Sequence, residues 1–297
     1  MAAWDLIIGM IFASQTVLGI WGNVSLLCHY VFLQFTGYRL KFTDVIVKNV
    51  LVANSFGLLT KGIPSSATAF GVGHFLNDFG CKLVFYLHKV GRDMSVFSTC
   101  LLSVFQALII NPRTSRWADL KGKTPKYKEF AMVFGWIFYL LINALIPVHV
   151  IGKWSDKNIT ERTDLVYCSK IPASLYFTLV QCSDIISLLL MLWASSSMVF
   201  ILYRHKQRVK HIHSNNVSPR SSPENKATKS IRVLASTFVS SYAISTVLQI
   251  MVILDHLGWM LVNLSALVSA SFPTVSPFLL MSHGSSVSTL CFSQVRK

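Results

Sequence analysis

The stretch CKLVFYLHKVGRDMSVFSTCLLSVFQALIINPRTSRWADLKGKTPKY, residues 81–127, decides the fold. Its first part, Cys81 to Ile110, rises about 1.5 Å per residue on a helix and so exceeds the roughly 30 Å hydrocarbon layer of a bilayer. The remainder is a basic loop. At about 100° per residue, Cys81, Phe85, His88, Arg92, Ser95, Thr99 and Gln106 fall in one narrow sector, while Leu83, Leu87, Val90, Met94, Phe97, Leu101 and Leu108 gather opposite. Lipid cannot solvate His, Arg and Gln, and each costs several kcal/mol there if unpaired. The polar sector therefore predicts neighbouring helices, or a water-filled cavity, against this face.

Composition agrees with a membrane chain. Of 297 residues 53% are apolar and 13% charged, too oily and too poor in charge for a soluble domain of this length. The formal charge of +15 does not read as nucleic-acid binding, because the basic residues flank apolar runs and no soluble domain presents them. The N-terminal run has no basic n-region and no small-residue cleavage site, so it reads as a retained first span rather than a signal peptide.

Apolar segments of membrane length lie at about 5–33, 43–68, 81–110, 129–151, 173–203, 227–254 and 259–282. This predicts an all-α membrane protein, a single seven-transmembrane helix bundle over 1–297. The second segment is the weakest, because it carries Lys48, Asn49, Asn54 and Lys61. Most of the 27 Lys and Arg fall in the loops after segments 1, 3 and 5 and in the tail, which places those in the cytoplasm and the N-terminus outside. In that orientation Asn158-Ile159-Thr160 is a glycosylation sequon in an outer loop. Cys81 and Cys168 are the pair of cysteines on the oxidising side, and a disulfide between them is expected. His211 and His213 in the third inner loop read as solvated rather than metal-binding, and neither a metal nor a cofactor is expected.

Several runs narrow the class further. LLTKGIP at 58–64, CKLVFYLHKVGR at 81–92, the run 100–127, the run 192–231, STFVSSYAIS at 236–245 and FPTVSPFLLMS at 272–282 together resemble the vomeronasal type 1 receptors, a pheromone-receptor family within the G-protein-coupled receptor superfamily. The resemblance covers nearly the whole chain and rests on the joint order and spacing of the runs. It implies a multi-pass plasma-membrane receptor that binds a small molecule in the outer half of the bundle and activates a heterotrimeric G protein of the inhibitory type. Two positions depart from the pattern: Asp93, where a small residue is expected, and Asn111, where a serine is expected.

Candidate ligand contacts are His88, Arg92 and Ser95 on the third span, Lys61 on the second and Asp184 on the fifth. A guanidinium about midway through the membrane offers a rigid fork of donors and suits an anionic group, such as a small acid or a sulfated steroid-like molecule. The competing reading pairs Arg92 with Asp184, since intramembrane charges nearly always find protein partners. Lys89 and Asp93, four apart, are expected to pair. Lys61 could equally snorkel to the headgroups. Arg113, Arg116, Trp117, Lys121, Arg204, Lys206 and Arg208 are expected to face the G protein or anionic membrane lipid. A bitter-taste-type receptor and a small transporter are the alternatives. The transporter lacks the expected internal repeat, and no hydrolase or protease motif points to an enzyme.

Overall fold

The computed structural model describes residues 3–37, 40, 42–72, 76–110, 125–152, 163–164, 168–170, 185–186, 188–193, 196–197, 200, 236–248, 251 and 259–283. Three long helices come first: α1 (Ala3–Phe35), α2 (Phe42–Ala69) and α3 (Asp78–Ile110). Then follow α4 (Pro125–Ile142), a 3-10 turn (Asn143–Leu145), α5 (Ile146–His149), α6 (residues 236–248) and α7 (Trp259–His283). Residues 185–186, 188–193, 196–197 and 200 of the expected fifth span are helical.

The helix ends follow from local chemistry. Gly71, at φ 86°, donates to the Thr68 carbonyl while Val72 donates to Ala67, the paired bonds that close a helix through a left-handed residue. Gly37, at φ 83°, ends α1 with the first of those bonds, to Gln34. Asn77 caps α3: its Oδ1 accepts from Gly80 N–H at 2.8 Å. That cap, with Asp78 paired to Lys82 at 2.6 Å, starts the helix three residues before the expected Cys81. Pro125 opens α4, where its missing N–H costs nothing. Pro147 removes the N–H that would serve the Asn143 carbonyl. The chain tightens into a 3-10 turn, and Ile146 N–H serves it instead.

An antiparallel sheet of three short strands, absent from the all-α expectation, follows α5. Val150–Gly152 (β1) pairs with Cys168–Lys170 (β3), which pairs in turn with Thr163–Asp164 (β2), in the order β1-β3-β2. Strands of two or three residues carry no readable alternation. The sheet stands at the end of the bundle where α3 begins, and β1 touches α3.

Leu6–Phe35, Phe42–Ala69 and Met260–Ser282 are long and apolar enough to cross a membrane, the polar-flecked second segment included. Trp4, Trp21 and Phe32 on α1, Phe130, Phe134 and Leu141 on α4 and Met260 on α7 are exposed. A broad apolar exterior of this kind is stable in lipid and not in water. The chain is a membrane protein.

Within lipid, burial of apolar groups gains packing contacts rather than release from water, so close approach and polar pairs count for more. The core joins Ile46 and Leu51 of α2, Met94 of α3, Met132 of α4, Met191, Phe238 of α6 and Phe272 of α7. Along the middle of α3 both sectors are covered: Val90 and Met94 on the oily side are as buried as Ser95 and Thr99 on the polar one, while Leu83 nearer its start is exposed. Gly91 makes this possible, because a Cβ there would stand 3.1 Å from the Ala53 carbonyl and 3.2 Å from Gly57 N on α2.

Candidate ligand cavity

Where α2, α3, α6 and α7 meet, the helices leave a partly open cavity of about 680 Å³, its mouth included. Its free surface is almost wholly apolar. Lys61, His88, Arg92 and Ser95, all read from the sequence as ligand contacts, line it together. The fifth, Asp184, lies outside the described residues, so the competing Arg92–Asp184 pairing does too.

Each cavity side chain is placed by its helix. His88, Arg92 and Ser95 follow one another at three and four residues along α3. Lys61 comes from the C-terminal turns of α2 and points inward, donating to Ser269 Oγ on α7 at 2.8 Å instead of snorkelling to headgroups. Ser95 Oγ donates to Asn54 Oδ1 at 2.7 Å, and Asn54 Nδ2 donates to Ser276 Oγ at 2.9 Å, so α3, α2 and α7 are joined by one buried polar chain. Arg92 is held from the α6 side, its guanidinium carbon 4.9 Å from the centroid of the Tyr242 ring. His88 Nδ1 is buried with no hydrogen-bond partner among the described residues, and the charges of Lys61 and Arg92 act on it.

Three nitrogen-bearing side chains thus gather at one wall of an apolar space. Such a cavity accommodates an apolar body with one electron-rich group, since the walls gain by dispersion and the cationic wall by charge. Tyr242, Phe238, Ser245 and Ser269, which also line it, were not among the residues read from the sequence. Their signal is faint: a Ser-Ser-Tyr at 240–242 inside an apolar run, with no marker of which side chain faces α3.

The expected Lys89–Asp93 pair is present at 2.8 Å, away from the cavity lining. Asn143 Nδ2 donates to the second Asp93 oxygen at 2.9 Å. Asp93, the residue out of pattern, therefore has two partners that a small residue would not need. Cys81 is fully buried and disulfide-bonded. Cys168 stands at the start of β3, paired in register with Gly152. Asn111, Asn158, Arg113, Arg116, Trp117, Lys121, Arg204, Lys206 and Arg208 lie outside the described residues.

Residues 6–293 match the family described as "Vomeronasal organ pheromone receptor family". The chain belongs to the vomeronasal type 1 receptor family. The receptor is 52% identical to Vomeronasal type-1 receptor 4 of Homo sapiens over the whole of both chains. It is 49% identical to Vomeronasal type-1 receptor 2 of Homo sapiens over 93% of this chain and 72% of that one. At a greater distance, Vomeronasal type-1 receptor 90 of Rattus norvegicus is 30% identical over 91% of this chain and 89% of its own. This is a receptor family and not an enzyme family.

Proposed function

We propose that the chain is a G-protein-coupled chemosensory receptor that crosses the plasma membrane seven times, N-terminus outside and C-terminus in the cytoplasm. It takes a small molecule into the cavity between α2, α3, α6 and α7 and responds by activating a heterotrimeric G protein of the inhibitory type. The observation that carries this reading is the convergence of Lys61, His88 and Arg92 on one otherwise apolar cavity. An intramembrane charge is costly, and the charges of Lys61 and Arg92, gathered with the His88 ring around one space, favour a ligand that brings the opposite charge or a strong acceptor. A ligand with an apolar body and one acidic group suits it best.

Around that cavity, the Cys81 disulfide closes on Cys168 and ties the small sheet over the outer mouth. A glycan is carried on Asn158. Arg113, Arg116, Trp117, Lys121, Arg204, Lys206 and Arg208 form the inner surface that meets the G protein and anionic lipid. Switching between states uses the two prolines of α7, Pro273 and Pro277, because a carbonyl that has lost its helix donor can exchange partners at little cost.

The test of coupling is nucleotide exchange on purified heterotrimers in membranes holding the receptor, challenged with small acids, sulfated steroids and neutral odorants. Ligand-dependent exchange on an inhibitory-type heterotrimer, larger than on a stimulatory one, is the expected result. Exchange on neither, from a receptor present and glycosylated at the surface, would contradict the signalling role.

A further inference from the structure

Tyr242 is not one of the basic residues of the cavity wall, yet it links that wall to two helices. Its ring faces the Arg92 guanidinium, 4.9 Å from centroid to Cζ. One turn away on α6, Phe238 stacks on it at 5.7 Å with the rings 9° from parallel. Phe238 in turn meets Phe272 of α7 edge to face at 4.3 Å and 85°. All three rings are buried, and all three line the cavity with Arg92. Phe272 immediately precedes Pro273, whose carbonyl accepts from Asn23 of α1 at 2.8 Å. An unbroken row of contacts therefore runs from the cavity cation on α3 through α6 to the proline segment of α7.

We infer that Tyr242 is a specificity-determining residue, which seats the Arg92 guanidinium at the cavity wall and makes α6 sensitive to whether a ligand anion engages it. The physical basis is that a ring face attracts a cation through its quadrupole, most strongly where water is excluded. A guanidinium already seated by the ring meets an arriving anion without first having to be ordered, so ring and anion hold it together and tie α3 to α6 more firmly. A neutral ligand of the same shape gains nothing from that seating. Tyr242 acts through Arg92 and needs no contact with the ligand. The inference rests on the reading of the cavity as an acceptor of anionic ligands.

The test uses the full chain in lipid nanodiscs and two probes of one skeleton, 4-phenylbutyrate and its methyl ester, read by thermal unfolding. First, without probe, Tyr242→Leu is compared in the unsubstituted and Arg92→Gln backgrounds. The expected loss of melting temperature is smaller in Arg92→Gln, because part of what leucine removes is already gone. Second, Tyr242→Leu raises the half-saturating 4-phenylbutyrate concentration about tenfold and leaves that of the ester unchanged, whereas Tyr242→Phe, which keeps the ring face, behaves as the unsubstituted chain. Equal losses in the two backgrounds, or equal weakening of acid and ester, overturn the role of Tyr242. If 4-phenylbutyrate stabilises the unsubstituted chain no more than the ester does, the anionic-ligand reading fails. The comparison without probe still decides whether Tyr242 and Arg92 are coupled.

Discussion

Asp93 accepts from Lys89 Nζ through one oxygen and from Asn143 Nδ2 through the other, both within 3 Å, and sits 7% exposed in the middle of α3. Removing one member of such a pair strands the other charge in the bundle. Asp93→Leu alone is therefore expected to cost about 3 kcal/mol or more, read as a lower melting temperature and lower surface expression. Lys89→Met with Asp93→Leu removes both charges and is expected to recover most of that loss. A double variant as unstable as the single one would show that the site needs the charges themselves. The pair was legible from its spacing of four, but Asn143 was not. It lies 50 residues away, and nothing local marks the amide of a proline-tightened turn as the partner of a carboxylate on another helix. The direction of Lys61 was equally hidden, because inward and outward rotamers differ by whether α7 brings Ser269 within reach.

Among the helices, α7 depends on α1. Pro277 has no N–H for the Pro273 carbonyl one turn earlier, and Asn23 Nδ2 donates to that carbonyl at 2.8 Å and to the Gly19 carbonyl at 2.6 Å. Asn23→Ala leaves the Pro273 oxygen without that donor and is expected to cost about 1–3 kcal/mol. Combining it with Pro277→Ala returns a helical N–H to the same oxygen, so the double variant is expected to melt higher than Asn23→Ala alone. Thermal unfolding of the variants in nanodiscs checks this, and a double variant that melts lower would show that the proline bend itself is required. Buried amides need partners and prolines free carbonyls, so Asn23, Asn54 and both prolines are visible in the sequence as residues able to repack. It could not say which amide meets which carbonyl, because that pairing is set by the rotation of α1 against α7. The polar sector of α3 from His88 to Ser95 was legible as a period of 3.6 in residue type, and these side chains line the cavity. The cover over its oily sector was not, because burial by α2 and α4 leaves no mark on α3's own pattern.

Across the receptor, a cationic cavity lies at the meeting of four helices, and a small sheet stands beside the disulfide-bonded Cys81. The proposed orientation has a direct check: Asn158→Gln is expected to remove a single endoglycosidase-sensitive mass shift from the surface-expressed chain, and a shift that persists would place the glycan elsewhere. The overall class was legible because lipid imposes it on composition and segment length. The aromatic row from Tyr242 to Phe272 was not, since it is built from residues up to 34 positions apart that meet through tertiary packing alone. Everything proposed for the receptor turns on whether the wall formed by Lys61, His88 and Arg92 receives the ligand. The deciding experiment is a concentration–response curve for G-protein activation in cells expressing either the unsubstituted chain or Arg92→Gln at matched surface density, challenged with small acids, sulfated steroids and neutral odorants. Acid-bearing molecules are expected to evoke a response whose potency falls about tenfold or more in Arg92→Gln. An acid response of unchanged potency in Arg92→Gln would remove that wall from the binding site.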